Sequence, residues 1–384
     1  MPLAAAIQYG KAWARRLILP RPAPGPRVIV SGEPLVVAGM FRTGSGLGRA
    51  AKGCFDALRK EGLSPLAVDL SEMFHQADME AGVPLAPFPR AKRGTLILFA
   101  NPPEVERALM GLGLRRWHDW HIIGAWVWEL PAVPSAWARQ AAMMSEIWAP
   151  SHFVAEAFSA QYDRPVKVVP HHVPVSENTA EPKTDRSLLR ILVVADARSS
   201  LERKNPLAAI RMFRAAFDPD EPAELIVKCR NLSLFPVQAA ELKAAAAGDT
   251  RIQLLDQTLD ADAQAALLQS ADILLSPHRS EGFGLNLAEA MAAGKCVIAT
   301  GWSGNVDFMP EGSAALLPYT LIPAVDPTGV YAPEPGTVWA EPDFDAGVAA
   351  LKALSTDPEG RAATGALARA AVAERSGRAL AHVA

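Results

Sequence analysis

Residues 276–307 read S-P-H-R-S-E-G-F-G-L-N-L-A-E-A-M-A-A-G-K-C-V-I-A-T-G-W-S-G-N-V-D. The apolar run that ends at Leu275 predicts a strand, and a glycine-rich turn follows it. The next residues predict a helix over Leu285–Ala293, a stop at Gly294 and a second buried strand over Cys296–Thr300. A turn with free backbone N–H groups that leads into a helix N-terminus favours the binding of an anion.

Two carboxylates, Glu281 and Glu289, flank this turn. An ionised carboxylate can only accept hydrogen bonds, so at an anion site it must meet hydroxyl groups or a cation. The stretch therefore predicts a ligand that carries both an anionic group and a polyol.

The totals describe a globular chain of two domains. At 384 residues, the chain is long enough for two domains of roughly 150 to 200 residues each. Its formal net charge of -3 gives no support for a nucleic-acid partner. The three cysteines, Cys54, Cys229 and Cys296, form no C-x-x-C pair, which argues for a reducing compartment and against a disulfide frame or a structural zinc site. No run of about 18 apolar residues predicts a membrane span.

The first 27 residues form a basic arm, because five Lys and Arg residues precede the first acidic residue, Glu33. Ile7, Trp13 and Leu17 could give this arm an apolar side, which would suit peripheral contact with a membrane surface. A packed N-terminal arm is the alternative, since the apolar residues do not share one face. The arm lacks the features of a secretory signal.

The first half of the chain opens with a strand over Leu35–Gly39, the glycine-rich loop Gly44–Gly48 and a helix to about Lys60. This order is typical of an open parallel sheet, although the loop alone is equally typical of a tight turn. More buried strands are predicted at Leu66–Asp69, Thr95–Ala100, Ile122–Val127, Ile147–Pro150 and Val166–Pro170. Asn101 and Glu129 follow two of them, at the sheet edge where ligands bind in such folds; an ordinary turn role is the alternative.

After a polar linker over 176–187, the pattern of alternating strands and helices starts again. A stretch from Thr320 to Asp345, rich in Pro, Gly and Asp, predicts an irregular excursion. The predicted organisation is an N-terminal arm (1–27), a first domain (28–175), the linker (176–187), a second domain (188–345) and C-terminal helices (346–384) that pack back toward the first domain.

A cationic segment, A-D-A-R-S-S-L-E-R-K-N-P, follows the first strand of the second domain. It places Arg198, Arg203 and Lys204 over the same sheet edge as Glu281. A helix N-terminus contributes only about 0.3 to 1 kcal/mol toward an anion, so holding a diphosphate also needs Arg and Lys. A solvated charge run beside Glu202 is the alternative interpretation.

Together these features resemble the retaining glycosyltransferases of the GT-B fold, family 4. The resemblance covers the chain from about Leu35 to Asp345. It rests on the two carboxylates of an E-x7-E motif, the E-G-F-G-L turn, R-K-N-P at 203–206, N-P-P at 101–103, W-x-W-E-L at 126–130, A-P-S at 149–151, S-G-N-V-D-F-M at 303–309 and V-W-A-E-P-D at 338–343.

The resemblance implies an α/β fold of two Rossmann-like, doubly wound domains that face each other across a cleft. A nucleotide diphosphate sugar would bind mainly to the second domain and the acceptor mainly to the first. In the family pattern, the first carboxylate lies against the donor sugar, which falls on Glu281, and the second reaches the ribose, which falls on Glu289. Backbone amides of the turn contact the sugar and diphosphate, and here these belong to Gly282, Phe283, Gly284, Leu285 and Asn286.

The cations of the family pattern that bind the diphosphate correspond most simply to Arg198 and Lys204, with Arg203 as a rival for the first role. The loop of the first domain, with Gly46 and Arg49, would close over the diphosphate from the other side. Asn101 and Glu129 are the candidates on the acceptor side. The chain departs from the family pattern where His171 and His172 stand in place of Asn-Gly, and a frequent first-domain histidine has no counterpart.

The sequence therefore predicts a retaining glycosyltransferase that moves a hexose-type sugar from a nucleotide diphosphate donor to a glycan or lipid-linked acceptor in bacterial surface polysaccharide synthesis. Arg198, Lys204 and Glu281 are the predicted catalytic residues. No metal or other cofactor is expected, since no D-x-D-type motif stands in the place where a metal-dependent transferase would need it. The expected location is the cytoplasm, at the inner face of the membrane if the arm binds lipid. A sugar-nucleotide 2-epimerase and a catalytically idle scaffold of the same fold are the alternatives.

Overall fold

A computed structural model describes residues 19, 22–27, 29–113, 117, 119–175 and 188–378 of the chain. Most of the basic N-terminal arm and all of the predicted linker lie outside these described residues. The prediction that the arm contacts a membrane therefore has no structural counterpart here. None of the helices in the described ranges combines the length and the apolar character that crossing a membrane requires.

The first domain is built on a six-stranded sheet in which every pair of neighbouring strands is parallel. The strand order is β2-β1-β3-β4-β5-β6. The strands are β1 (Leu35–Gly39), β2 (Leu66–Asp69), β3 (Arg93–Phe99), β4 (Asp119–Ala125), β5 (Glu146–Ala149) and β6 (Val166–Val168). The helices are α1 (Gly46–Lys60), α2 (Pro102–Leu112), α3 (Ala138–Ala141) and α4 (His152–Gln161).

The second domain repeats this plan with the strand order β12-β11-β10-β7-β8-β9, again all parallel. Its strands are β7 (Leu189–Asp196), β8 (Ala223–Arg230), β9 (Ile252–Leu255), β10 (Ile273–Ser276), β11 (Cys296–Thr300) and β12 (Ala315–Leu317). Its helices are α5 (Leu201–Lys204), α6 (Pro206–Ala216), α7 (Pro236–Ala246), α8 (Ala261–Ser270) and α9 (Leu285–Ala292).

Both faces of the second sheet are covered, as its nearly continuous apolar strands require. Ile191 and Val193 of β7 belong to a core on one face, while Leu192 of the same strand belongs to a core on the other face, which includes Leu287 and Met291 of α9. The first sheet is likewise packed between two cores. The predicted fold class is thus confirmed.

The predicted irregular excursion over residues 320–345 is wrong in one respect. It contains most of an antiparallel hairpin, in which β13 (Tyr319–Pro323) pairs with β14 (Val338–Pro342). Each strand ends in proline, and the connection between the strands is rich in Pro and Gly. These residues weaken the alternating pattern from which strands are predicted, so the pairing was not expected. The helices α2, α3 and α4 and the strand β12 were also not predicted from the sequence.

Two C-terminal helices, α10 (Phe344–Ser355) and α11 (Pro358–Arg378), follow the hairpin. Near the end of α11, the Ser376 hydroxyl donates a hydrogen bond to the Val173 carbonyl at 2.9 Å. Val173 follows the last strand of the first sheet and packs in the core on one face of the second sheet, so this bond attaches the helix to the chain between the two sheets. The predicted limits 28–175 and 188–345 enclose the strands of the two sheets.

Candidate active site

The carboxyl ends of the two sheets face each other, and the chain segments that follow the strands meet there. After β5, the Ser151 hydroxyl donates a hydrogen bond to the Gly282 carbonyl, which follows β10, at 2.6 Å. A side chain at Gly282 would lie 2.7 Å from Val127 of the first domain, so glycine permits this close approach. The site predicted from residues 276–307 therefore lies at the domain boundary.

A buried cluster of charges occupies the centre of this boundary. The Lys204 ammonium forms an ion pair with one oxygen of Glu281, and Arg203 Nη1 lies 3.2 Å from the other oxygen. Burial alone would raise the pKa of the Glu281 carboxyl, but the charges of Lys204 and Arg203 lower it to about 2. Glu281 is therefore ionised at neutral pH and holds two cations in place.

The N-terminus of α9 opens beside this cluster. Its N-cap, Gly284, has a φ of 94°, and no side chain within the described part of the chain caps the first N–H groups of the helix. A cavity beside the helix is lined by Lys204, Glu281, Gly284 and Asn286, among others. Uncapped N–H groups next to a lysine are suited to a phosphate group.

The glycine-rich loop of the first domain reaches α9 through Arg49. Arg49 Nη1 forms an ion pair with Glu289, and Nη2 donates a hydrogen bond to Asn286 Oδ1 at 2.8 Å. Gly46 is the first residue of α1, and Ser45 caps this helix by accepting a hydrogen bond from the backbone N–H of Gly48. Arg49 thus makes a direct contact between the first domain and α9, while closure of the loop over a diphosphate stays a prediction.

Of the two arginines proposed for the diphosphate, the structure brings Arg203 and not Arg198 to the cluster. Arg198 is exposed, and its backbone N–H donates to Asp196 while its side chain has no partner among the described residues. Arg203 is 1% exposed and donates to the Ser280 carbonyl at 2.7 Å. The assignment of Arg198 as a catalytic residue therefore finds no support in the geometry.

Glu129 lies at the boundary, as the sequence predicts, but it faces protein groups. One oxygen accepts a hydrogen bond from the Tyr331 hydroxyl at 2.7 Å, and the other lies 3.8 Å from Arg203 Nη2. The Arg203 guanidinium also lies over the Tyr331 ring, 5.6 Å from its centroid. Tyr331 was missed by the sequence analysis because it lies in the stretch that was expected to be irregular.

Three further predicted site residues have partners within the protein. Asn101 Oδ1 accepts a hydrogen bond from the Val127 backbone N–H at 3.0 Å, which fixes the chain after β4. Phe283 is buried, with its ring centroid 5.0 Å from that of His171 and 4.9 Å from that of Phe308. Leu285 is partly buried at the start of α9.

A polar network that the sequence analysis missed supports the turn after β10. The Ser303 hydroxyl accepts a hydrogen bond from the Glu281 backbone N–H at 2.8 Å. His278 is fully buried, and its Nε2 lies 3.0 Å from Asn305 Oδ1. The sequence S-G-N-V-D could have indicated this network, since its serine and asparagine are short polar residues next to a buried strand. No group of three His, Cys, Asp or Glu side chains in the described ranges could hold a metal ion.

Two comparisons with known proteins agree with this geometry. Residues 191–331 match the model of a family described as "Glycosyl transferases group 1". This range contains the cationic segment, the turn and both carboxylates of the E-x7-E motif. No curated protein matches the sequence.

Several solved structures, three of which contain UDP or a UDP-sugar, are similar in fold to this chain. A mutant of S. aureus TarM, in complex with fondaparinux, alpha-GlcNAc-glycerol and UDP, has 13% identity and a TM-score of 0.55, covering 75% of this chain and 54% of that one. Anabaena Alr3699/HepE, in complex with UDP and glucose, has 14% identity and a TM-score of 0.62, covering 90% of this chain and 95% of that one. A structure described as trehalose-6-phosphate from E. coli bound with UDP-2-fluoro glucose has 12% identity and a TM-score of 0.61, covering 89% and 96%.

The chain thus spans about half the length of TarM and nearly the whole length of the other two. At these identities, the likeness concerns the fold: two facing Rossmann-like domains of the GT-B class. Within that class, the match of residues 191–331 to the group 1 glycosyltransferase model agrees with the predicted resemblance to family 4.

Proposed function

We propose that the chain is a retaining glycosyltransferase that moves a hexose-type sugar from a nucleotide diphosphate donor to a glycan or lipid-linked acceptor. The observation that carries this proposal is the buried cluster of Lys204, Arg203 and Glu281 beside the uncapped N-terminus of α9. UDP or UDP-sugars are bound in the related structures of TarM and Alr3699/HepE. We extend the proposal to bacterial surface polysaccharide synthesis at the cytoplasmic face of the membrane.

In the proposed reaction, the bond between the anomeric carbon and the diphosphate oxygen breaks as the acceptor oxygen attacks from the same face of the sugar. Negative charge builds on the leaving diphosphate, where Lys204 and the first N–H groups of α9 stabilise it. A phosphate oxygen takes the acceptor proton, so the protein need not supply a base. Glu281 accepts hydrogen bonds from sugar hydroxyls.

Lys204 provides the test of this proposal. Lys204→Ala should lower the rate of sugar transfer by about a hundredfold or more, because a preorganised charge at the leaving group is lost. The measurement is the release of nucleotide diphosphate from a panel of UDP-, GDP- and ADP-sugars with candidate acceptors. Lys243, which is exposed on α7, provides the matched control, since Lys243→Ala should transfer at the wild-type rate.

Near-normal turnover by Lys204→Ala would overturn the assignment of the leaving-group cation. Donor incubated without any acceptor provides a second arm, because the appearance of an isomerised sugar nucleotide would instead identify a 2-epimerase.

A further inference from the structure

Lys228 is a buried cation that has no partner among the described residues. It lies near the end of β8, and only 6% of its surface is exposed. Within the described ranges, no group accepts a hydrogen bond from its amino group or forms an ion pair with it. Burial, together with the charges of Arg230 and Arg49, lowers the pKa of Lys228. Since no described protein group accepts a hydrogen bond from this amino group, a ligand in the adjoining cleft can supply the acceptor.

Lys228 lies next to a strand residue that lines the cavity beside α9. In the parallel pairing of β7 and β8, Lys228 is in register with Val194. Side chains in register on neighbouring parallel strands point to the same face and are about 4.8 Å apart. Val194 lines the cavity that also contains Lys204 and Glu281. Lys228 therefore lies one strand beyond the proposed diphosphate site, on the same face of the sheet.

The cations around Lys228 differ from it, because each has a carboxylate. Arg230 Nε lies 2.6 Å from Asp196 Oδ2, and Arg230 Nη1 lies 3.6 Å from Asp78 Oδ2 of the first domain. Arg49 is paired with Glu289. Because the nearby carboxylates are already paired with these arginines, the acceptor for Lys228 comes from a ligand.

The glycine-rich loop of the first domain covers this region. A side chain at Gly44 would lie 3.0 Å from Arg230 Nη1, so the loop lies against the guanidinium of the last residue of β8. A nucleotide whose diphosphate lies at Lys204 would extend its nucleoside between this loop and β8. The nucleobase is then the part of the ligand that brings a carbonyl oxygen to Lys228.

We propose that Lys228 donates a hydrogen bond to a carbonyl oxygen of the donor nucleobase and thereby selects uracil or guanine over adenine. This inference rests on the proposed function. An amino nitrogen donates whether or not it is charged. Guanine and the uracil-type ring carry a carbonyl oxygen at the position where adenine carries an amino group, which is itself a donor. At that position, adenine would therefore present a donor to the Lys228 amino group in place of an acceptor.

Calorimetric titration of the full chain with UDP, GDP, ADP and inorganic pyrophosphate tests the proposal. The wild type should bind UDP or GDP at least about tenfold more tightly than ADP, as expected for one hydrogen bond to a buried cation. Lys228→Met should weaken that binding by about tenfold and leave ADP and pyrophosphate unchanged, whereas Lys228→Arg should keep the preference. Lys243→Met is the control at an exposed lysine, and it should bind all four ligands as the wild type does.

Equal binding of UDP, GDP and ADP by the wild type would overturn the proposal without the need for any variant. Loss of pyrophosphate binding in Lys228→Met would also overturn it, since the contact would then be with phosphate. If circular dichroism shows that Lys228→Met does not fold, the wild-type ranking and Lys228→Arg decide the question. Failure of the proposed function is distinguishable, because the wild type would then bind none of the nucleotides.

Discussion

Glu281 couples the stability of the protein to pH. Its folded pKa of about 2 lies below the ordinary value of 4.5, so the stability it contributes is present above about pH 4.5 and is lost as the pH falls toward 2. At pH 7, Glu281→Gln leaves Lys204 without its ion-pair partner and Arg203 with Glu129 alone, and it should lower the free energy of unfolding by about 3 to 5 kcal/mol. Urea unfolding of wild type and variant from pH 7 to pH 3 should show this gap narrowing below pH 4.5.

The exposed Glu241 on α7 provides the control, because Glu241→Gln should leave the pH dependence unchanged. A gap between wild type and Glu281→Gln that stays constant down to pH 3 would contradict the assignment of a low pKa to Glu281.

The two arginines of the cationic segment should separate in a kinetic comparison. Arg203→Ala removes a guanidinium that holds Glu281 and the Ser280 carbonyl, and it should lower kcat/KM for the donor by about a hundredfold or more. Arg198→Ala changes an exposed side chain and should alter kcat/KM by less than about threefold. A larger loss of kcat/KM in Arg198→Ala than in Arg203→Ala would instead identify Arg198 as the arginine that binds the diphosphate.

At the scale of elements, the connection between β13 and β14 brings Tyr331 from the second domain to the first. Tyr331 is 7% exposed, and its ring lies 5.3 Å from that of Trp128. Tyr331→Phe keeps the ring over Arg203 but removes the hydrogen bond to Glu129. Steady-state kinetics should show kcat lowered by about tenfold with the KM for the donor unchanged, because the partly buried Glu129 carboxylate loses the donor that holds it beside Arg203.

A double-mutant cycle with Glu129→Gln provides the control for this prediction. Since the two groups share one hydrogen bond, their effects on kcat should be non-additive, with a coupling of about 1 kcal/mol. Additive effects would mean that Tyr331 acts through packing alone.

The elements that the sequence predicted best are those whose signal is local. The strand, turn, helix and strand of residues 276–307 follow from apolar runs and glycine positions, and the structure has them within one residue. The hairpin of β13 and β14 could not be predicted, because most side chains of β13 are exposed while Trp339 of β14 packs against the core of the first domain. The choice between Arg198 and Arg203 depends on Ser200, which is the N-cap of α5 and has a φ of 64°. This turn of the backbone directs the two arginines to different sides.

At the scale of the whole molecule, Asp307 joins three parts of the chain. Its Oδ2 accepts a hydrogen bond from the His152 backbone N–H of α4 at 2.9 Å and lies 2.9 Å from His152 Nδ1. Arg375 of α11 donates to the same oxygen at 2.9 Å and to the Asp307 carbonyl at 2.7 Å. We call these three residues the Asp307 joint. It ties the first domain, the second domain and the C-terminal helix together beside the cleft.

Asp307→Ala should shift the protein toward a more open arrangement of its domains, because the Asp307 joint stabilises the closed arrangement. None of its residues takes part in the proposed reaction. If the ligand binds only the closed arrangement, its apparent affinity is proportional to the fraction of molecules that are closed. A tenfold decrease in that fraction should therefore weaken nucleotide diphosphate binding by about tenfold. Small-angle scattering should then show a larger radius of gyration without ligand, and a larger compaction on adding ligand than in the wild type. Glu311→Ala, at an exposed carboxylate in the same segment, should scatter and bind as the wild type does. If Asp307→Ala scatters like this control, closure depends on the Arg49 and Tyr331 contacts instead, and the joint only orders the C-terminal helix.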